Sequence, residues 1–592
     1  MAMDWADQYR GEIWQFQNYR ANNRIPGPLT VDWLNGHRAL WANAQVPLQG
    51  PVRPTQREDG AGVARIPVRA DSARSVLAPP PPPGASRDKW QRARGRYDEV
   101  SNFFGTNPQF TILKDLGWGG NGLALKARWV RLGQGHKPLM LVIKVALRGW
   151  EDETLYIEER MMRRLKRAAH TVQHIPREDV GLPPNRPFPT DWPKVMNDTS
   201  SESDESGDES YDDAPTPRAA RHAKQNRRQQ IAADPERFTT RKDRYEQRVT
   251  RARWELANRR RAIEQGSQDP RWQIDRKDFL LLEWVENGDL YNLISRLNER
   301  NVTQIPNRVL WGFWLCLVRA CLAMQYPPRR FHPGRSLPDP DDEAGYDEEE
   351  SDTIGVDVSA ATGKRVGNDL FETEPVARRR WAASRIVHFD IDPNNVLIGG
   401  LDPNCGDNEH DIVPRLKLAD FGLAQKIRPN KNNEYYRAFR RFAKWGYFAP
   451  EQFGEEWDYI KKPDGSLIDE EGPEIAEQKI AGNYGAHTNV WGIALTMWQL
   501  ITRSMAPLPP RRQDPPPGMT DVHYAQDIQS SQYTWLDPDL RLTIQRCMAH
   551  DPSHRPSLRQ LFTGARNGVS KIFAAESDEL IEDWVQKFIF DA

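Results

Sequence analysis

Three side chains in two short strings of the sequence have the types and the order that suit phosphoryl transfer. The string "HFDIDPNNVL" (388–397) contains Asp390 and Asn395, with Pro393 fixing the turn between them, and "KLADFGLA" (417–424) contains Asp420. A carboxylate base, an amide oxygen and a second carboxylate converging on magnesium are what phosphoryl transfer needs, because its work is positioning and charge neutralisation. Each string alone is typical of an Asp-rich turn, but together and in this order they predict a phosphoryl-transfer site.

A glycine-rich string earlier in the chain could close over the phosphates. "LGWGGNGLA" places Gly117, Gly119 and Gly122 in GxGxxG spacing, which dinucleotide-binding folds also use. Here apolar strand patterns lie on both sides of the string, which indicates a hairpin whose backbone N–H groups face the phosphates. Lys144 follows at the end of the strand string "LVIK", where its ammonium could hold phosphate oxygens.

Lys144 needs an acidic partner to keep it oriented, and the next predicted helix, "ETLYIEERMMRRLKRA", offers one. We choose Glu158, because the apolar residues that follow it have the spacing of a buried helical face. Glu159 and Glu151 remain alternatives.

These motifs together resemble those of the eukaryotic protein kinases. The resemblance covers roughly 105–165, 273–326, 385–453 and 483–562. It implies an α+β, bilobal protein-kinase-like fold, with a small antiparallel β lobe, a larger helical lobe and long, partly disordered insertions. "APE" at 449–451 and the Arg of "HRPS" imply a structural ion pair between Glu451 and Arg555, which favours a protein kinase over a small-molecule phosphotransferase.

The resemblance assigns a role to each motif residue. Asp390 would be the catalytic base, Asn395 and Asp420 the metal ligands, and Lys144 with Glu158 the ion pair. Leu282 would gate the back pocket, and Trp284 would lie in the hinge. The implied ATP-binding residues are Gly117, Gly119, Gly122, Ala124, Val142, Lys144, Glu283, Val285 and Asp289.

The sequence departs from the family at two positions of the catalytic loop. The usual Arg after the loop His is Phe389, and the usual Lys two residues after the base is Asp392. The Arg normally receives an activation-loop phosphate, and the stretch from Gly422 to Glu451 contains no Ser or Thr. We therefore expect a kinase that loop Ser/Thr phosphorylation does not switch on. Tyr435 and Tyr436 could still be modified, without the usual Arg to read them.

Asp392 would repel the transferring phosphoryl group, which the missing Lys normally neutralises. Lys444 stands where the family has a Thr beside that Lys. We hypothesise an exchange in which Lys444 pairs with Asp392 and supplies the lost cation. The alternative is that Lys444 only neutralises Asp392 and that activity is lost.

Two more departures are milder. Ala124 and Val142 stand where the family has Val and Ala, so the adenine slot keeps its total volume with a changed contour. Asn489 replaces an Asp in "NVWG", and its amide oxygen can still accept a backbone N–H bond.

The composition fits a packed core diluted by polar segments. The chain has 592 residues, a formal net charge of −1, 38% hydrophobic residues and a mean hydropathy of −0.77. The near-zero charge argues against a nucleic-acid partner, and no apolar run reaches the roughly 18 residues of a membrane helix. Four cysteines without CxxC pairing or metal spacing are typical of buried free thiols in a reducing compartment, so we expect a cytoplasmic or nuclear protein.

The domain organisation follows from shifts in composition. We predict a Trp-rich extension that could pack on the main domain as an arm at 1–78, a Pro-rich linker at 79–100, a kinase domain at 101–565 with insertions at about 170–272, 327–384 and 454–482, and a C-terminal amphipathic helix at 566–592. The first insertion has an acidic Ser-rich tract and then a basic one. We interpret it as a solvated segment, with a docking segment for partners as the sharper alternative.

The retained base, metal ligands, lysine and glycines favour an active enzyme. We expect a kinase that uses ATP and Mg²⁺ and transfers the γ-phosphoryl group to Ser or Thr of a protein substrate, with Tyr not excluded. The alternative is a nucleotide-binding pseudokinase or a scaffold that acts through its acidic and basic insertions.

Overall fold

The computed structural model describes residues 75–78, 80, 85–119, 122–131, 137–147, 149–150, 153–182, 278–327, 329–331, 356–358, 372–374, 383–403, 409–440, 442–444, 446–506, 510, 512–516, 518–525 and 527–591. Most of the Trp-rich extension, the acidic and basic tracts of the first insertion, Glu151 and Cys405 lie outside these ranges. The chain divides into two compact units, one formed by 1–175 with 279–592 and one by 176–278. Within the second unit, a short 3₁₀ helix spans Arg177–Val180.

A four-stranded antiparallel sheet begins the first unit. Helix α1 (Ala85–Gly105) is followed by strands β1 (Phe110–Trp118), β2 (Gly122–Trp129) and β3 (Leu139–Ala146), helix α2 (Glu153–Arg164) and strand β4 (Leu280–Glu283). The sheet order is β1-β2-β3-β4, and neighbouring strands are antiparallel. Alternating burial along β2 and β3 puts every second side chain into the core, as the apolar alternation predicts.

Helix α1 corrects the prediction of a linker at 79–100. Its inner face contains Ala93, Arg96, Val100 and Phe104, all of which are buried. The Phe104 ring packs against Phe110 of β1, with the ring centroids 5.1 Å apart. The apolar positions of this stretch have helical spacing. The linker prediction overlooked that spacing because it was based on the proline run and the many charged residues.

The helical part of the first unit surrounds a second core. Its elements are α3 (Leu290–Glu299), α4 (Asn307–Gln325), β5 (Arg329–Phe331), β6 (Val356–Val358), β7 (Ile386–Val387), β8 (Val396–Ile398), β9 (Leu416–Leu418), β10 (Gln425–Lys426), α5 (Asn433–Phe439), α6 (Pro450–Phe453), α7 (Ala486–Thr502), α8 (Pro538–Cys547), α9 (Leu558–Val569) and α10 (Asp578–Val585), with a π-helical turn at Gln586–Phe590. The chain is therefore an α+β protein, as predicted.

Helix α4 forms the centre of this core. It is buried from Val309 to Met324, and α9 approaches it so closely that a Cβ at Gly568 would overlap the indole of Trp311. By length and composition α4 could span a membrane, and among the described residues it is the one helix that could, but 94% of its apolar window is buried inside the protein. Central core helices have the same composition, so this finding assigns no membrane span.

Candidate active site

Strand β3, helix α2 and the turn after β9 bring one lysine and two acids together. The Lys144 ammonium donates to both carboxylate oxygens of Glu158 at 2.7 Å and to Oδ1 of Asp420 at 3.0 Å. The alternative partner Glu159 points elsewhere and contacts Arg163 at 2.8 Å. The predicted pairing of Lys144 with Glu158 is therefore present, and Asp420 joins it.

The electrostatics of this triad keep Lys144 charged. Burial alone would lower the pKa of Lys144, but the carboxylates of Asp420 and Glu158 outweigh it and hold the pKa above its usual value. Burial also raises the pKa of Glu158 to about 7, against the opposing effect of Lys144. Although burial would raise it, the pKa of Asp420 lies below its usual range because Lys144 and Lys444 stabilise the carboxylate.

The glycine-rich turn connects β1 to β2 and forms the closed end of their hairpin. Gly117 has a φ of 132°, which a side chain would strain, and the Gly119 N–H donates to the Gly122 carbonyl at 2.9 Å. Ala124 is opposite Lys144 in the strand register, and Val142 is opposite Lys126. These positions share one half-buried face of the sheet with Lys144, which is where the sequence predicts the nucleotide.

The end of β4 and the residues that follow it carry three of the predicted ATP-binding positions, Glu283, Val285 and Asp289. Glu283 forms an ion pair with Lys417 at 2.7 Å, which the sequence did not indicate. Val285 is buried, and Asp289 caps α3 by accepting the backbone N–H of Asn292 at 2.7 Å. The carboxylate of Asp289 therefore has a structural role in addition to the ATP-binding role that the resemblance implies.

The catalytic-loop string forms a short 3₁₀ turn that orients Asp390. The Asn395 amide donates to the Asp390 carbonyl at 2.7 Å and to Asp390 Oδ2 at 2.9 Å. Asp390 Oδ1 is buried and accepts no hydrogen bond from the described residues. Because Asn395 spends its N–H₂ group on Asp390, its amide oxygen is left for other ligands.

His388 connects this loop to the segment that carries Asp420. Its Nδ1 accepts the Asp390 backbone N–H at 3.2 Å, and its Nε2–H donates to the Ala419 carbonyl at 3.1 Å. Burial lowers the pKa of His388 to about 4, so the ring is neutral. The Ala419 N–H in turn donates to the Asn395 carbonyl at 2.8 Å. Asp390, Asn395 and Asp420 are thus held in one hydrogen-bonded frame.

Lys444 contacts both acids of the catalytic loop. Its ammonium forms an ion pair with Asp392 and lies 3.3 Å from Oδ2 of Asp390. Asp392 is fully buried, and its second oxygen accepts the backbone N–H and the amide N–H of Asn394 at 2.7 and 2.8 Å. The contact that the exchange hypothesis requires is present, with a cation beside the predicted base.

These neighbours have opposite effects on Asp390. Burial raises the pKa of Asp390 to about 7, the Lys444 ammonium opposes that rise, and the carboxylates of Asp392 and Asp420 add to it. For Lys444, burial would lower the pKa, but Asp392 and Asp390 outweigh it and hold the pKa above its usual value. The site therefore keeps a cation beside a carboxyl group that titrates near neutral pH.

Phe389, in place of the usual Arg, packs into an aromatic cluster with residues of the stretch from Gly422 to Glu451, which corresponds to the activation segment in the kinase resemblance. It stacks on Phe439 with the ring centroids 5.6 Å apart, and it makes edge contacts with Phe442 and Tyr484 at 5.9 and 5.4 Å. Phe389 is buried with a φ of 61°, an uncommon conformation for a bulky residue. Apolar packing thus occupies the place where the family uses a charged contact.

The two tyrosines of the activation segment take part in its packing. The Tyr435 hydroxyl accepts the Arg428 backbone N–H at 3.0 Å, and the Tyr436 hydroxyl donates to the Arg428 carbonyl at 3.1 Å. Asn433, at the start of α5, donates to the Asp469 carbonyl and accepts the Ile475 N–H. The segment predicted as an insertion at 454–482 therefore buttresses the activation segment directly.

Two further contacts hold this frame. Asn489 accepts the His388 backbone N–H at 2.9 Å and donates to the Ile386 carbonyl at 2.7 Å, so the amide serves in place of the family's Asp. Arg555 donates to both oxygens of Glu451 at 3.0 and 2.8 Å, which confirms the predicted ion pair.

Comparisons with known proteins point to one superfamily. No protein-family model matches the chain. Over 178 residues (29% of this chain), it is 24% identical to the proto-oncogene tyrosine-protein kinase ROS of Gallus gallus and to the tyrosine-protein kinase transforming protein ros of UR2 avian sarcoma virus. Over 218 residues (34% of this chain), it is 25% identical to the L-type lectin-domain containing receptor kinase VII.1 of Arabidopsis thaliana.

The matched stretches span 6%, 34% and 25% of these three relatives, so the chain covers well under two thirds of each. All three are kinases by name. Together with the motifs, these weak matches support membership of the protein kinase superfamily.

Proposed function

We propose that this protein is an active protein kinase that transfers the γ-phosphoryl group of ATP to Ser or Thr hydroxyls of protein substrates, and that it has the two-lobed kinase architecture. The observation that carries the proposal is the contact of Lys144 with both Glu158 and Asp420. In protein kinases the lysine–glutamate pair and the metal-binding Asp must both be in place for transfer.

The residues present fit a nucleotide with a magnesium ion. Asp420 and the amide oxygen of Asn395 are hard oxygen donors of the kind that Mg²⁺ prefers, and the Asp420 side chain is 44% exposed. Lys144 and the Gly117–Gly122 turn would hold the phosphates, with adenine on the face that carries Ala124 and Val142. When bound, the ion would neutralise phosphate charge.

Asp390 would orient the substrate hydroxyl. Its Oδ2 is fixed by Asn395 and Lys444, which leaves Oδ1 to accept the hydroxyl hydrogen bond. Lys444 would supply the cation that family members place at position 392. Since charge develops on the transferring phosphoryl group, a positioned ammonium lowers the barrier by electrostatic stabilisation.

The test is transfer of labelled γ-phosphate from Mg-ATP to generic protein substrates and to the protein itself. We expect Asp390→Asn to lower transfer by about 10²–10⁴-fold, the range of a lost general base. Asp591→Asn, a change at an exposed position outside the segments that carry the catalytic motifs, is the matched control and should transfer normally. Wild-type protein that binds ATP without transferring phosphate would instead establish a pseudokinase. Asp392, in place of the usual Lys, is the residue that favours this alternative.

The acceptor residue requires its own measurement, because two of the three relatives are named as tyrosine kinases. The choice of Ser or Thr follows the resemblance to the family. Phosphoamino-acid analysis of labelled substrate should yield phosphoserine or phosphothreonine. Phosphotyrosine alone would overturn this part of the proposal and leave the kinase assignment intact.

A further inference from the structure

Three metal-ligating side chains from distant parts of the chain meet in the core away from the candidate active site. They are His170, which follows α2, Cys316 in α4, and His410, which precedes β9. All three are buried, and one ligand atom from each lies within 4.8 Å of the other two. The kinase reaction uses none of them.

The hydrogen bonds around the two imidazoles fix which ring nitrogens carry protons. His170 Nδ1 lies 2.6 Å from a Glu372 carboxylate oxygen, and His410 Nδ1 lies 3.3 Å from the Val413 carbonyl. An ionised carboxylate and a carbonyl only accept, so with Glu372 ionised each Nδ1 carries the hydrogen. The two Nε2 atoms, 3.2 Å apart, then face each other with lone pairs, and a cation that both can bind removes this repulsion.

We propose that His170 Nε2, His410 Nε2 and the Cys316 thiolate bind a divalent transition-metal ion of the zinc class. Two nitrogens on one tetrahedral zinc, each about 2.0–2.1 Å from it, are about 3.3 Å apart, which the observed 3.2 Å matches. The Cys316 sulfur lies within 4.8 Å of both nitrogens, compared with roughly 3.5 Å on a tetrahedral zinc, so binding requires it to move by up to about 1 Å. Glu372 behind His170 is the carboxylate–histidine arrangement that orients metal-binding imidazoles.

The charges around the cluster suit a dication. Arg319 is paired with Glu409, and Arg415 with Asp402, so these neighbouring ions neutralise one another. The Glu372 carboxylate and a thiolate at Cys316 then balance the two positive charges of the metal.

The site would join two segments that position the catalytic groups. The His170 carbonyl accepts the backbone N–H of Leu418 in β9 at 2.8 Å, and β9 leads directly to Asp420. On its other side, His170 follows α2, which carries Glu158. A metal here would therefore fix α2 relative to β9, independently of nucleotide.

The test is the metal content of the purified full chain, measured by mass spectrometry after exposure to Zn²⁺ and dialysis. We expect about one zinc per chain, a higher melting temperature than after chelation, and, with Co²⁺ instead, a thiolate charge-transfer band. Cys316→Ala should lose the band and the zinc. Cys321→Ala, which removes another buried thiol from the same helix, is the matched control and should keep both.

His410→Asn is the second variant, in case Cys316→Ala fails to fold, and it too should lose the metal. Wild-type protein that takes up neither zinc nor cobalt would overturn the proposal. Equal metal in Cys316→Ala and in wild type would overturn it as well.

Discussion

The hypothesis that Asp392 and Lys444 have exchanged charge predicts the activity of three variants. A change at either position alone should lower turnover, whereas changing both positions to the residues usual in the family should restore it. Lys444→Thr leaves the buried Asp392 without its ion-pair partner beside Asp390. Asp392→Lys puts a second ammonium against Lys444. The double variant restores a lysine at 392 and a threonine at 444, which is the usual arrangement of the family. Each single change should abolish most of the turnover, and the double change should recover it.

The expected size follows from the contacts. Two unit charges about 4 Å apart interact by about 4 kcal/mol at an effective dielectric constant of 20, and removing one transition-state donor typically costs about 10²–10³ in kcat. We therefore expect a 10²–10³-fold loss in Lys444→Thr. Unfolding should become easier by only about 2–3 kcal/mol, below the usual cost of breaking a buried pair, because Lys444 is 41% exposed and Asp392 keeps two hydrogen bonds.

The assay is steady-state transfer of labelled phosphate, with kcat and the KM for ATP determined separately. A cation that acts on the transferring group lowers kcat with little change in KM, whereas a purely structural lysine would act through the folded fraction. Lys571→Thr is the matched control, because Lys571 also forms an ion pair, with Asp537 at 2.9 Å, but beyond the end of α9 and outside the segments that carry the catalytic motifs. Thermal melts of every variant report its folding.

Two results would refute this reasoning. One is wild-type kcat in a folded Lys444→Thr variant of an active enzyme, since the cation would then have no part in transfer. The other is a folded double variant as inactive as the single ones, since the two positions would then not be exchanging one function.

The remaining predictions concern the same site and its frame. Because burial raises the pKa of Asp390 to about 7 and the base must be ionised, kcat/KM should rise with pH through about 7 and level off above it; a flat profile between pH 6 and 8 would exclude that assignment. Lys144→Met should abolish phosphate transfer while thermal melts show a folded chain, since the ammonium holds Glu158 and Asp420. Phe389→Ala should lower the free energy of unfolding, measured in urea, by about 3–5 kcal/mol because it removes a buried aromatic ring. Because we expect no activation by loop Ser/Thr phosphorylation, phosphatase treatment of the wild type should leave kcat unchanged. Arg555→Met should cost about 3–5 kcal/mol of the free energy of unfolding, because it leaves a fully buried Glu451 carboxylate unpaired.

The spacing of apolar residues was sufficient to predict those strands and helices that bury one face. The alternation in β2 and β3 and the helical spacing in α2 placed Lys144 and Glu158 on facing elements, and the structure joins them at 2.7 Å. These signals are local, so one sequence carries them in full.

The contacts that the sequence missed join segments far apart in the chain. His170 and Glu372 fall within stretches that composition assigns to solvated insertions, yet both side chains are buried and bonded to each other. The polar surroundings hid them, because hydropathy averages over neighbours and one buried histidine leaves no periodic trace. Their spacing from Cys316 and His410 also follows no short metal-binding motif, so only the fold brings the four together.

The departures from the kinase pattern have a common physical form. Asp392 stands where the family has a Lys, and the neighbouring Lys444 supplies a cation beside it. Phe389 stands where the family has an Arg, and its ring packs against other aromatic rings where the Arg would make a charged contact. Each change keeps the local charge or packing balanced, but it alters the residue at a position that defines the family motif. Two ion pairs that the motifs predict, Lys144 with Glu158 and Glu451 with Arg555, are present although sequence identity to the matched kinases is only 24–25%. The reversed pair at 392 and 444 tests the balance of charge directly, since it restores the family's residues and still leaves a single lysine beside Asp390.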